Sequence, residues 1–216
     1  MSDDSQKMTR KERERAAHRE AILETAEEVF ARKGFHAATV QEIAEQSEFS
    51  VGYIYNHFEN KQALYVELVD RRLSEYMDHV EGRLNATEDS VHKVGVAIRA
   101  VLEFFVQREQ FFRIFIRVGT QTGDQLTPGL PEKTLQKYYD YTRRLAEMLG
   151  RGVDAGVFIQ ADPELLVTCL EEMTHAAMRY CIVNDMPADG PMAVLLEDIF
   201  LHGIARTETP IEGESA

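Results

Sequence analysis

Residues 39–64, TVQEIAEQSEFSVGYIYNHFENKQAL, constrain the fold of this chain more than any other stretch. Thr39 stands three residues before Glu42, the T-x-x-E capping box in which side chains satisfy orphan backbone N–H groups at a helix start. Ser50 offers a second N-cap and Asn60 a third. The first helix is predicted over about residues 40–46, with Val40, Ile43 and Ala44 facing inward. The second carries Ile54, Tyr55 and Phe58, and the third opens with Lys61, Ala63 and Leu64. Two short helices about three residues apart make a helix-turn-helix, whose second helix can enter a DNA major groove. Two such helices bury no core of their own, so the stretch needs a longer helix before it.

That helix is predicted over about residues 11–33. Ile22, Ala26, Val29 and Phe30 give it an apolar face at i, i+4, i+7 and i+8. Gly34 and Phe35 then read as a Schellman-type stop. After residue 61 the helical period runs without a break to about residue 84. Further helices are predicted over about 90–108, around Phe111, Phe112, Phe115 and Ile116 to a stop at Gly119, and over about 132–155, 163–183 and 192–205. Asp162-Pro163-Glu164 is a strong start signal: a capping Asp, Pro at the first helical position and an acid in the first turn. Residues 123–131, GDQLTPGLP, read as a loop with Pro128-Gly129 as its turn. No stretch alternates with period two. The expected fold is all-α, with about nine helices. The expected divisions are a basic arm and helix-turn-helix domain over 1–60, a helical domain over 61–206, and a disordered tail over 207–216.

Composition narrows the class. No apolar run approaches the ~18 residues needed to span a bilayer, and the polar start of the chain has no signal-peptide apolar region. A cytoplasmic protein with no membrane partner is expected. Cys169 and Cys181, twelve residues apart on one predicted helix, are too distant to pair within a chain and are expected to be buried structural thiols. His79, His92 and His175 are too scattered for a metal site. There is no Gly-x-Ser-x-Gly elbow, no His-Glu-x-x-His and no phosphate loop, so neither an enzyme nor a cofactor is expected.

A net charge of −13 sits awkwardly with a polyanionic partner. Its distribution resolves the difficulty. Six bases, Lys7, Arg10, Lys11, Arg13, Arg15 and Arg19, face only Glu12 and Glu14 over residues 7–19. Potential from such a cluster acts over about a Debye length of ~8 Å. Alone it also fits a solvated tail. Beside a helix-turn-helix it reads as a phosphate-contacting arm, with Arg10 and Arg13 as its candidates. Base reading needs side chains from the N-terminal part of the second helix, which points to Ser50, Val51, Gly52 and Tyr53. Val51 can touch a thymine methyl, and Gly52 allows close approach.

The spaced residues Gly34-Phe35, Thr39-Val40, Ile43-Ala44, Ser50-Val51-Gly52, Ile54-Tyr55, His57-Phe58, Lys61 and Leu64 resemble the DNA-binding unit of the tetracycline-repressor (TetR) family of bacterial regulators. Beyond about residue 72 the resemblance is one of helix order and length. It implies phosphate contacts from Thr39, Tyr55, His57 and Lys61, with Asn56 as a further contact. It implies a larger domain surrounding a cavity for a small, largely apolar effector, with Met77, Phe105, Phe112, Phe115, Tyr138, Tyr141, Met173 and Met178 as lining candidates. It also implies a homodimer through the last two helices and a palindromic double-stranded operator. The function expected is ligand-responsive repression of transcription. The alternative is an effector-independent dimeric DNA-binding protein whose C-terminal domain only dimerises or binds a protein partner. The sequence departs from the family at Ser47-Glu48-Phe49, where members carry Ala-Gly-Val. A turn built for glycine with φ > 0 costs another residue roughly 1 kcal/mol.

Overall fold

The structure, a computed structural model, describes residues 9–85, 90–117 and 129–204, with the side chains of 90, 91, 115–117 and 204 excepted. The expected tail, residues 1–8 of the arm and most of the 123–131 loop lie outside the described residues. Nine α-helices and no β-strand are found among those described: α1 (Arg10–Ala37), α2 (Val40–Gln46), α3 (Val51–Tyr55), α4 (Lys61–Leu84), α5 (Ser90–Gln107), α6 (Glu109–Arg117), α7 (Glu132–Asp154), α8 (Pro163–Asn184) and α9 (Gly190–Ile204).

Local chemistry sets most helix ends. The Thr39–Glu42 capping box is formed in both directions. The Asn60 side-chain oxygen accepts from the Ala63 amide at 2.8 Å and starts α4. Asp162 caps α8 through the Glu164 amide at 2.9 Å, with Pro163 in the first turn. Gly34 takes φ 80° and interrupts the helical backbone near the end of α1, where the sequence places the stop. A second capping box, Thr9 with Glu12, opens α1. It obeys the same T-x-x-E rule as Thr39 and is a start signal missing from the sequence reading.

The described residues fall into two compact units, one drawn from Met1–Arg72 and Arg113–Leu130, the other from Leu73–Phe112 and Pro131–Ala216. The division falls inside α4. In the first unit, Ile22, Ala26 and Phe30 of α1 are buried together with Ile43, Ile54, Phe58, Leu64 and Leu68. Behind that core, α1 and α4 are joined by charge. Arg72 is fully buried; its Nε donates to Glu27 at 2.7 Å and its Nη2 lies 3.2 Å from Glu20, which also pairs with Arg71. Buried charges persist only when paired, and removing one partner here would cost roughly 3–5 kcal/mol.

In the second unit, α7 packs on α8 and α5 on α9. Its core includes Met77, Ile98, Phe105, Phe112, Tyr141, Leu149 and Met178. Cys181 is buried, but Cys169, expected inside, is exposed, because its position on α8 faces away from that core. Among the described residues no helix is long and apolar enough to cross a membrane.

Candidate nucleic-acid interface

The α2–α3 unit depends on a turn that strains one residue. Ser47 ends α2 in a helical conformation, and Glu48 then takes φ 60°, left-handed for a residue with a side chain. The Phe49 amide closes the turn by donating to the Ala44 carbonyl at 3.1 Å. The position that departs from the glycine pattern therefore keeps the glycine conformation and bears its cost.

α3 is only five residues long and cannot hold itself by propensity. Ser50 caps it through the Tyr53 amide at 3.1 Å, and Ile54 anchors it in the core. Ser50, Gly52, Tyr55 and Asn56 are exposed and Val51 is half-buried. A Cβ built on Gly52 would meet no atom of the protein within 4 Å.

Tyr53 departs from expectation. It is half-buried and turned onto α1, its hydroxyl 2.8 Å from Nδ1 of His18. Its ring stacks on Phe49 at 5.1 Å and lies 4.9 Å from His57. His18 is absent from the sequence reading, and Phe49 enters it only as part of the departing turn. His18 lies four residues before Ile22, on the same face of α1, and that spacing is the signal that finds it. Phe49 fills the turn with an aromatic ring and so gives Tyr53 a packing surface.

His57 is held below the usual imidazole range. Burial lowers its pKa first, and the nearby Arg15, Arg19 and His18 lower it further. Its Nδ1 is buried with no hydrogen-bond partner among the described residues.

Lys61 also departs from expectation. Its ammonium donates to the carbonyls of Phe35 at 2.7 Å, Ala38 at 2.9 Å and His36 at 3.3 Å, and it lies 4.6 Å from the centre of the Phe35 ring. An ammonium has three hydrogens. All three are directed at the end of α1, which leaves none for a phosphate in this arrangement. The Thr39 hydroxyl is engaged in the α2 cap, although the residue is exposed.

Arg10, Lys11, Arg13 and Arg15 are exposed along the first turns of α1, Arg10 paired with Glu14 at 2.8 Å. Arg19, the last of the six bases, is turned inward.

In the second unit, Met77, Phe105, Phe112, Tyr141 and Met178 are buried, Tyr138 and Met173 are half-buried, and the Phe115 side chain lies outside the described residues. A pocket of about 280 Å³ has Tyr141, Leu145 and Met148 among its walls, with charges of both signs from Glu81, Glu147, Lys93, Arg144 and Arg151. Among the candidates whose side chains are described, Tyr141 borders it. The Tyr141 hydroxyl lies 3.3 Å from that of Tyr76, whose ring meets Phe104 and Phe112 edge-on. Burial pushes the Glu171 carboxyl up to about 7, with Glu172 adding to the effect, and its charge raises the phenols of Tyr76, Tyr138 and Tyr141 beyond what burial already does. Among the described residues no group of three or more His, Cys, Asp or Glu is placed to hold a metal.

The family profile described as bacterial regulatory proteins, tetR family, matches residues 22–68. The HTH-type transcriptional activator FasR of Mycolicibacterium smegmatis is 26% identical over 180 residues, covering 83% of this chain and 79% of FasR. The TetR family regulator PfmR of Thermus thermophilus superposes with a TM-score of 0.71 at 24% identity, over 93% of this chain and 100% of PfmR. FadR of Bacillus subtilis, in complex with stearoyl-CoA, gives a TM-score of 0.66 at 19% identity, over 86% of this chain and 98% of FadR. At these identities the two structures establish a shared fold.

Proposed function

The chain belongs to the TetR family of bacterial regulatory proteins, and from that premise we propose that it is a ligand-responsive repressor that binds a palindromic operator as a homodimer. The observation that carries the DNA-reading role is Gly52. Glycine inside a helix costs roughly 1 kcal/mol against alanine. No atom of the protein within 4 Å requires its missing Cβ. The space is open on the outer side of α3, where a surface can approach, and the exposed Ser50, Tyr55 and Asn56 lie along the same segment. Val51 and Ser50 would read base edges there. Thr39, Tyr55, Asn56 and His57 would contact phosphates, and Arg10 and Arg13 would follow the backbone with charge. Tyr53 shapes that surface through His18 and Phe49, and Lys61 braces it through the end of α1.

The apolar residues exposed on the last two helices support the homodimer. Leu165, Tyr180 and Val183 of α8 and Val194, Leu195 and Ile199 of α9 lie open in the single chain, Val183 by 75%. Water contact over that much apolar surface is removed by pairing with a second copy, as a twofold four-helix interface requires. The aromatic interior of the second unit supports a small, largely apolar effector. FadR, of the same fold, is in complex with stearoyl-CoA, whose acyl chain is apolar although its CoA part is large and anionic. An effector bound there would favour one disposition of the two DNA-reading heads over another, with α4 belonging to both units and carrying the change.

FasR is an activator, so the sign of regulation has a second reading. A reporter driven by a promoter that contains the chain's operator tests both. Repression predicts lower output when the chain is supplied, and higher output assigns activation. Output that ignores the chain overturns a regulatory role.

A further inference from the structure

Arg19 ends the run of bases on α1 and behaves unlike the rest of it. Its guanidinium makes a two-pronged pair with the Glu67 carboxylate of α4, Nε at 2.5 Å and Nη2 alongside. Its remaining arm, Nη1, donates to the His57 carbonyl at 2.7 Å. Its flat face lies 4.4 Å from the centre of the Phe58 ring. One side chain thus grips α4, the backbone just past α3 and the residue that buries that turn in the core.

The grip matters because α3 is weakly held. It has five residues, one core anchor and a strained turn in front. Two residues beyond its end, the His57 carbonyl accepts a charge-assisted bond from Arg19. Its neighbours along the chain set the frame: Glu20 and Glu27 hold α1 to Arg71 and Arg72 of α4 on the following turns. α1 and α4 are riveted together, and Arg19 is the rivet that also reaches α3.

We propose that Arg19 is a positioning residue for DNA recognition: it fixes the orientation of α3 against α1 and α4 from behind, and makes no phosphate contact itself. The proposal rests on the reading of α3 as the DNA-reading helix. Geometry, more than charge, gives Arg19 this role. A guanidinium presents donors in a rigid planar fork, so two nitrogens can pair with one carboxylate while the third bonds a carbonyl; an ammonium has a single nitrogen and cannot reproduce that two-pronged pair.

The test compares full-length wild type, Arg19→Lys and Glu67→Gln by fluorescence anisotropy, on the duplex selected by wild type from a random library and on a scrambled duplex, across a salt series. Thermal midpoints are recorded so that binding is read well below unfolding. Positioning predicts that both variants lose roughly tenfold or more in affinity for the selected duplex, as loss of charge-assisted hydrogen bonds implies. Affinity for the scrambled duplex and the salt slope should hold. Glu67→Gln is the sharper arm: it removes a negative charge near DNA and must still weaken specific binding. Arg19→Lys with unchanged preference, or Glu67→Gln that binds both duplexes more tightly, overturns the proposal. Arg19→Ala, measured in the same salt series, removes the charge altogether; a slope lower by about 0.9, the mark of one lost phosphate contact, also overturns the proposal. A wild-type chain that prefers no duplex overturns the underlying DNA-reading role instead, and the two failures are distinct.

Discussion

At the scale of single residues, two positions separate what the fold needs from what a partner needs. Gly52 is unfavourable for the helix it sits in and unnecessary for the packing around it. Gly52→Ala should therefore raise stability by about 0.5–1 kcal/mol and at the same time weaken specific DNA binding, because the new methyl occupies the approach surface. Chemical denaturation and anisotropy on the same sample check it; a variant that is more stable and binds equally well would remove Gly52 from the interface. Glu48 is the converse case. Its φ of 60° is imposed by the turn, so Glu48→Gly should relieve strain and raise stability by up to about 1 kcal/mol. A clear loss on denaturation would mean that the exposed carboxylate makes a compensating contribution to the turn.

At the scale of elements, the end of α1 and the start of α4 are one construction. The Lys61 ammonium supplies the three hydrogen bonds that the last carbonyls of α1 lack. Lys61→Met keeps the stem's packing and removes those bonds, so stability should fall by about 1–3 kcal/mol while the salt slope of DNA binding changes by less than one phosphate. An unchanged midpoint with a slope lower by about 0.9 would restore the phosphate role that the family resemblance implies. Lys61 also marks what the sequence can and cannot show. The starts of α2, α4 and α8 are legible because a cap and its amide lie within three residues of each other. Gly34 and the strain at Glu48 are legible for the same local reason. The directions of Arg19 and Lys61 are not: their partners lie 48 and 23–26 residues away in sequence, and a base near a helix-turn-helix is easily assigned to phosphate when the carbonyls it could cap are out of view. The inward contacts of Tyr53 are only partly legible: Phe49, on which its ring stacks, is four residues away, whereas His18, which its hydroxyl meets, is on another helix. Phe105, Phe112 and Met178 are legible as inward-facing and are buried, but helical spacing is the same for residues that fill a core and for residues that line a cavity.

At the scale of the whole molecule, one carboxyl places a pH dependence on stability. The folded-state value of Glu171, about 7, lies above that of an unfolded glutamate, near ~4.3. Its contribution is fully present below the unfolded value and is lost as pH rises through about 7, because ionisation is then opposed by burial. Glu171→Gln should match wild type near about pH 4.5 and exceed it at about pH 8, by on the order of 1–3 kcal/mol; an equal difference at both pH values would place the carboxylate in water. The twofold arrangement proposed for the molecule has a larger consequence. Two copies of α3 joined through α8 and α9 present their faces to one side of a duplex, with half-sites about one helical turn, ~34–36 Å, apart. Selection of duplexes from a random library by the full-length chain measures this directly. Sequence-specific recognition by a dimer predicts enrichment of an inverted repeat with fixed half-site spacing, lost in an Arg19→Lys chain that remains folded. A pool that stays random, or a single motif with no symmetry, would contradict it.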